Sequence, residues 1–191
     1  MEGWRREMYS DATGLPWVMP SPNMPTLDTA IVYPGTVLFE GAMLSEGRGT
    51  TRPFELVGAP WIEAERFARE MNGLALPGAY FRPAVFEPTF QKHAKTTCGG
   101  CQIHVTDRAS FRPVLTGAAL LHQFRRFDPM KFAWRQPPYE YEHDKLPIDI
   151  LAGSSALREQ IESGAGPKEI ASSWRDDEAA FRKARQPFLL Y

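Results

Sequence analysis

The densest set of chemically useful side chains is the run Phe39-Glu40-Gly41-Ala42-Met43-Leu44-Ser45-Glu46-Gly47-Arg48-Gly49-Thr50-Thr51. Within it stand two carboxylates, one guanidinium, several hydroxyls and three glycines between Gly41 and Gly49. A guanidinium such as Arg48 grips a carboxylate through two parallel hydrogen bonds. A carboxylate such as Glu46 accepts from sugar hydroxyls or moves a proton. Glycines tolerate positive φ and let backbone N–H groups approach a ligand. The set suits an anionic sugar, but glutamate–arginine pairs at turns more often brace a loop, and the pattern alone leaves both readings open.

Other candidates are thinner. Ser21 and Asn23 sit in Met19-Pro20-Ser21-Pro22-Asn23-Met24-Pro25-Thr26, a backbone stiffened by three prolines, which lowers the ordering cost of binding. Asn23 capping a turn is an equal alternative. His104 falls on the expected polar face of a strand, where a neutral ring could donate to a hydroxyl; a lone histidine there is more often structural. Trp17, Trp61, Trp134 and Tyr33 could stack on a pyranose, although most such aromatics belong to a core. Asp149 reads most simply as part of a helix start. Cys98 and Cys101 form the only cysteine pair, in CGGC. The run continues into a strand rather than a helix, against a thioredoxin-type pair, and a zinc site lacks two further ligands. The expectation is two partly buried thiols at a turn, with no metal site. There is no GxSxG elbow, HExxH, phosphate loop or dinucleotide fingerprint.

Several elements must position these groups. Ala30–Phe39 is β-favouring, interrupted by Pro34-Gly35, and reads as a strand with a turn or bulge. Pro60–Asn72 has a helical apolar face (Trp61, Ala64, Phe67, Ala68, Met71), with Gly73 as its stop. Ala79–Phe86 and Gln102–Thr106 read as strands. Leu115–Phe127 reads as a helix, Ile148–Leu151 as a helical turn and Ser155–Ser163 as a helix. A last helix over Pro167–Ala184 is expected to anchor Ile170, Trp174 and Phe181 in the core. Strands and helices mix without regular βα alternation. The expected class is α+β: a mixed sheet packed with several helices, in a single compact domain over 1–191 with long proline-rich loops. Parallel pairing of some strands stays open.

Composition sets the outer bounds. The 191 residues are 43% hydrophobic and 24% charged, ordinary values for one globular domain. A net charge of -1 gives no basic footprint for nucleic acid. No stretch approaches the roughly 20 apolar residues of a membrane span. The opening MEGWRREMYSD lacks the apolar core of a signal peptide. Seventeen prolines point to many rigid loops.

The same segments, in order, resemble the C-terminal half of the exo-β-N-acetylmuramidase family (NamZ-like), long catalogued as a domain of unknown function. The resemblance rests on Gly3-Trp4, Leu15-Pro16-Trp17-Val18, SPNMPT, YPG, an EG…SEGRGTT loop, PFE, GAPWI, PG.YFRP..F.PTF, C.G.QIHVTD and a closing LLY. It implies an enzyme that releases N-acetylmuramic acid from the non-reducing ends of peptidoglycan fragments, is periplasmic or secreted, and uses no cofactor or metal. It further implies an N-terminal Rossmann-like domain, absent from this chain, that carries the proposed catalytic glutamate while this half closes the cleft. The chain is therefore expected to be a fragment, a separately encoded half or an excised domain.

On that basis Glu46 is the candidate catalytic carboxyl group. Arg48 is expected to hold the lactyl carboxylate of muramic acid, with Ser21, Asn23, Glu40 and His104 supporting substrate. In place of the family's usual EGTN this chain reads Glu40-Gly41-Ala42-Met43, and Cys101 stands where the family has an aliphatic residue. Losing polar partners would alter specificity or activity. Two alternatives follow, a muropeptide-binding module that cleaves nothing and an interaction domain whose loop only packs against a partner.

Overall fold

The computed structural model describes residues 3–190; the Tyr191 that completes the LLY motif lies outside that range. Among the described residues there are seven α-helices and one three-stranded sheet, with the first two helices packed directly on the sheet. Strands β1 (Leu56–Ala59), β2 (Ala79–Phe86) and β3 (Cys98–Val105) run in the order β1-β3-β2, and both pairings are antiparallel. The α+β class holds, with an antiparallel sheet in place of the mixed one expected. The 87–97 link between β2 and β3 contains no helix of the kind that usually carries a parallel crossover.

The region read as a first strand is instead helix α1 (Leu27–Thr36), followed by a 3-10 turn over Val37–Gly41. Thr26 caps it, its hydroxyl accepting from the Thr29 N–H. Ile31 and Val32 face the core. Packing overrides the β-preference of Ile-Val-Tyr, as it often does for weak local propensities. Gly35 gives the contact its shape: a Cβ there would strike the carbonyl oxygen of Pro113. That carbonyl belongs to α3 (Pro113–Phe127), the central helix, buried on most sides from Leu115 to Phe124. α2 (Ala64–Gly73) buries Phe67, Ala68 and Met71, as its spacing predicts. α4 (Pro147–Ala152), α5 (Ala156–Ser163) and α6 (Pro167–Ser173) complete the core with Ile148, Leu157, Ile161 and Ile170. The last predicted helix breaks at Trp174. The remainder, α7 (Arg175–Arg185), is a charged surface helix on which Phe181 is 65% exposed and anchors nothing in the core. Among the described residues no helix is long and apolar enough to cross a membrane.

CGGC lies inside β3 rather than at a turn, and its glycines explain it. A side chain at Gly99 would meet the Ile62 carbonyl oxygen, and one at Gly100 the Val57 carbonyl oxygen. The sheet and the loop before α2 close on this strand at backbone distance. Cys98 and Cys101 are free and fully buried, and burial pushes both thiols up, that of Cys98 to about 11. Thiolate is the reactive form, so Ellman's reagent at pH 8 should find no rapidly reacting thiol in the native chain and two after denaturation. One fast equivalent in the native chain would contradict this packing.

Candidate functional site

Two local features fix the Glu40–Thr51 loop. Ser45 makes a two-way backbone bridge with Gly58 of β1 (2.8 and 3.0 Å). Gly47 and Gly49 take positive φ (77° and 81°), as the glycine spacing foresees. Gly49 passes so close to the Thr89 and Phe90 backbone that a Cβ would lie 2.7–2.8 Å from their nitrogens. Phe54, of the PFE run, also holds a positive φ of 63°, a costly conformation for a bulky residue. Its ring lies 4.9 Å beneath the Arg48 guanidinium.

Beside this loop opens a hollow of about 620 Å3, lined by Glu40, Met43, Glu46 and Arg48 on one side and by Gln91, Lys92, Arg135, Tyr139 and Glu140 on the other. Its size is that of a small-molecule site. Glu46 is 3% exposed at its floor. One carboxylate oxygen lies 3.3 Å from Arg48 Nε and the other 2.8 Å from Lys92 Nζ. Arg48, 24% exposed, also donates from Nη2 to Glu40 Oε1 (2.6 Å), while the Tyr139 hydroxyl donates to Glu40 Oε2 (2.8 Å). Lys92 further donates to the carbonyls of Phe39 (2.6 Å) and Ala42 (2.8 Å). Burial pulls the Lys92 ammonium below the usual lysine range and Glu46 opposes that pull. Burial, reinforced by Glu40, raises the Tyr139 phenol.

Lys92 is aimed inward by an unusual loop. Gln91, His93 and Lys95 all adopt positive φ (68°, 59° and 60°). The His93 ring is 3.0 Å from the Met43 carbonyl oxygen and edge-on to Trp61 at 5.9 Å. The far wall is tied on by the backbone: Met43 N–H donates to the Ala133 carbonyl (2.8 Å) and Arg135 N–H to the Gly41 carbonyl (2.9 Å).

The structure therefore brings Glu40, Glu46 and Arg48 into one hollow, and it does not bring Ser21, Asn23 or His104 there. Ser21 Oγ caps the Asn23 N–H in a turn ahead of α1. His104 pairs across the sheet with Tyr80. Its buried Nε2 has no partner among the described residues. None of Trp17, Trp61, Trp134 and Tyr33 lines the hollow; its aromatic wall is Tyr139. Asp149 is bound by Arg158 at 2.9 Å. Lys92, Arg135 and Tyr139 carried no sequence signal, being single residues in polar runs whose partners are far along the chain. Of the two apolar replacements, Ala42 is buried in the core and only Met43, 41% exposed, faces the hollow. No group of three or more His, Cys, Asp or Glu among the described residues is placed to hold a metal.

The family described as exo-beta-N-acetylmuramidase NamZ, C-terminal, matches residues 31–191. Over all 191 residues the chain is 42% identical to the peptidoglycan beta-N-acetylmuramidase NamZ of Bacillus subtilis (strain 168), of which it spans 44%. A solved DUF1343 family protein from Bacteroides fragilis NCTC 9343 aligns with a TM-score of 0.85 at 27% identity, covering 99% of this chain and 49% of that one. A second DUF1343 protein from the same organism shares the fold, with a TM-score of 0.62 at 22% identity over 91% of this chain and 43% of its own. The chain thus spans about half the length of the relatives it matches.

Proposed function

Because the chain belongs to the NamZ C-terminal family of exo-β-N-acetylmuramidases, we propose that it is the substrate-cleft half of a peptidoglycan glycosidase that removes N-acetylmuramic acid from the non-reducing ends of peptidoglycan fragments. The reading is carried by one observation: the loop that bears the resemblance frames an open polar hollow whose walls hold three acids and three cations. An amino sugar that bears a carboxylate needs such mixed donors and acceptors.

Glycoside hydrolysis uses two carboxyl groups about 5–9.5 Å apart. Both oxygens of Glu46 face cations, and those of Glu40 face Arg48 and Tyr139. Carboxylates engaged in this way suit orienting a sugar better than releasing a proton to it. In this reading Glu46 fixes Arg48 and Lys92, and the proton-transferring carboxyl group comes from an N-terminal Rossmann-like domain that completes the cleft. In this reading the protein works in the periplasm or outside the cell.

A chromogenic muramide tests this. The isolated chain is expected to turn it over poorly, and the chain joined to the N-terminal domain of a relative to turn it over at a measurable rate. Turnover by neither would overturn the enzymatic reading. Met43 favours a second reading, in which the domain binds muropeptides without cleavage, since it puts an apolar wall where the family has a polar one. Saturable muropeptide binding with no turnover in the joined protein would support it.

A further inference from the structure

The three cations of the hollow are not equivalent. Lys92 is engaged on every side: an ion pair with Glu46 and hydrogen bonds to the carbonyls of Phe39 and Ala42. Arg48 has its Nε against Glu46 and an Nη2 donor on Glu40. The Arg135 guanidinium, by contrast, makes no hydrogen bond or ion pair among the described residues. It lies over the ring of Tyr139 at 5.2 Å. That ring is itself held, because its hydroxyl is bonded to Glu40 at 2.8 Å. The Arg135 backbone is held too, through its N–H to Gly41. A guanidinium stacked on a fixed ring, on a fixed backbone, has lost much of its rotamer freedom while its five N–H donors stay available. Such a group meets a planar carboxylate with little further ordering cost.

We infer that Arg135 is the residue that recognises the carboxylate of the bound sugar acid, and that the Glu46–Arg48–Glu40–Tyr139 chain positions it. Arg48 then acts as a strut between the two glutamates. This rests on the reading of the hollow as a muramic acid site, and it assigns the acid-selecting role to a residue outside the SEGRGTT motif.

The test is calorimetric titration of the 191-residue chain with N-acetylmuramic acid and with its uncharged lactyl methyl ester. The wild-type chain is expected to bind the acid about 10- to 100-fold more tightly, the worth of a charge-assisted hydrogen bond or pair. Arg135→Gln should bind acid and ester alike, with a melting temperature within a few degrees of wild type. Arg135→Lys should recover part of the preference. If Arg135→Gln keeps the preference, the inference fails and the muramic acid site stands. If the wild-type chain binds both equally, the hollow is a sugar site without acid recognition and the inference also fails. Binding of neither overturns the reading of the hollow and the inference with it.

Discussion

Glu46→Gln is expected to destabilise the chain by about 3–5 kcal/mol, because it removes one partner of a buried ion pair and leaves the other without its counter-charge. For a chain of this size that is a fall in melting temperature of about 6–20 °C. The substitution keeps volume and shape, so the loss combines the missing charge with an amide NH2 set against a cation that can only donate. Lys92 is the group left exposed to the change, since its ammonium already lies below the usual lysine range through burial and Glu46 is the main force holding it up. Without Glu46 its folded value falls further, while the unfolded value stays ordinary. The unfolded state then binds more protons over the interval between the two, so the variant gains stability as pH rises towards the normal lysine range. Wild type should show less of this gain. Glu46→Gln combined with Lys92→Met should recover about 0.5–3 kcal/mol relative to the sum of the single changes, the range for residues in one network. A Glu46→Gln chain that melts within a degree of wild type at neutral pH would contradict the buried network.

Gly35→Ala is the second large effect. The added Cβ would meet the Pro113 carbonyl oxygen, and the reciprocal Gly117→Ala would meet the Gly35 carbonyl oxygen. Both obstacles are backbone atoms, which cannot rotate away as the end of a side chain can. Helices α1 and α3 must separate, and overpacking of this kind costs about 1–3 kcal/mol, with occasional larger values. We expect about 3 kcal/mol for Gly35→Ala in chemical denaturation. Gly73→Ala is the control: nothing lies within 4 Å of its Cβ position, and it should be neutral or stabilise by about 0.4–1 kcal/mol. The effect should reach the hollow as well, because α1 runs directly into the Val37–Gly41 turn that carries Glu40. A sugar-acid affinity weakened in Gly35→Ala but not in Gly73→Ala would show the coupling.

Residues with strong local patterns were readable from the sequence. β2 occupies the Ala79–Phe86 span that its composition predicts, and α3 and α5 lie within two residues of their expected ends. α1 was not readable, because Ile31-Val32-Tyr33 favours a strand locally and only the close approach of α3 at Gly35 decides otherwise. The four-residue β1 was too short to stand out beside the GAPWI turn. The site divides the same way. Glu40, Glu46 and Arg48 stood together in one glycine-rich loop, so their spacing gave them away. Lys92 and Arg135 reach the hollow through long-range ties: a strained 91–95 loop in one case, and the Met43–Ala133 and Gly41–Arg135 backbone bonds in the other. Neither tie has a sequence period. His104 lies outside the hollow, and its case is related: alternation gives the face of a strand but not which end of it meets a site.

The most direct test of the account is amide chemical-shift mapping of the 191-residue chain during titration with N-acetylmuramic acid. The account predicts shifts that saturate together and cluster at Glu40–Arg48, Gln91–His93 and Arg135–Glu140, with Ser21, Asn23 and His104 unmoved. Saturating shifts confined to the apolar groove between Leu74–Pro77 and Pro167–Arg175, or no shifts at all, would contradict it.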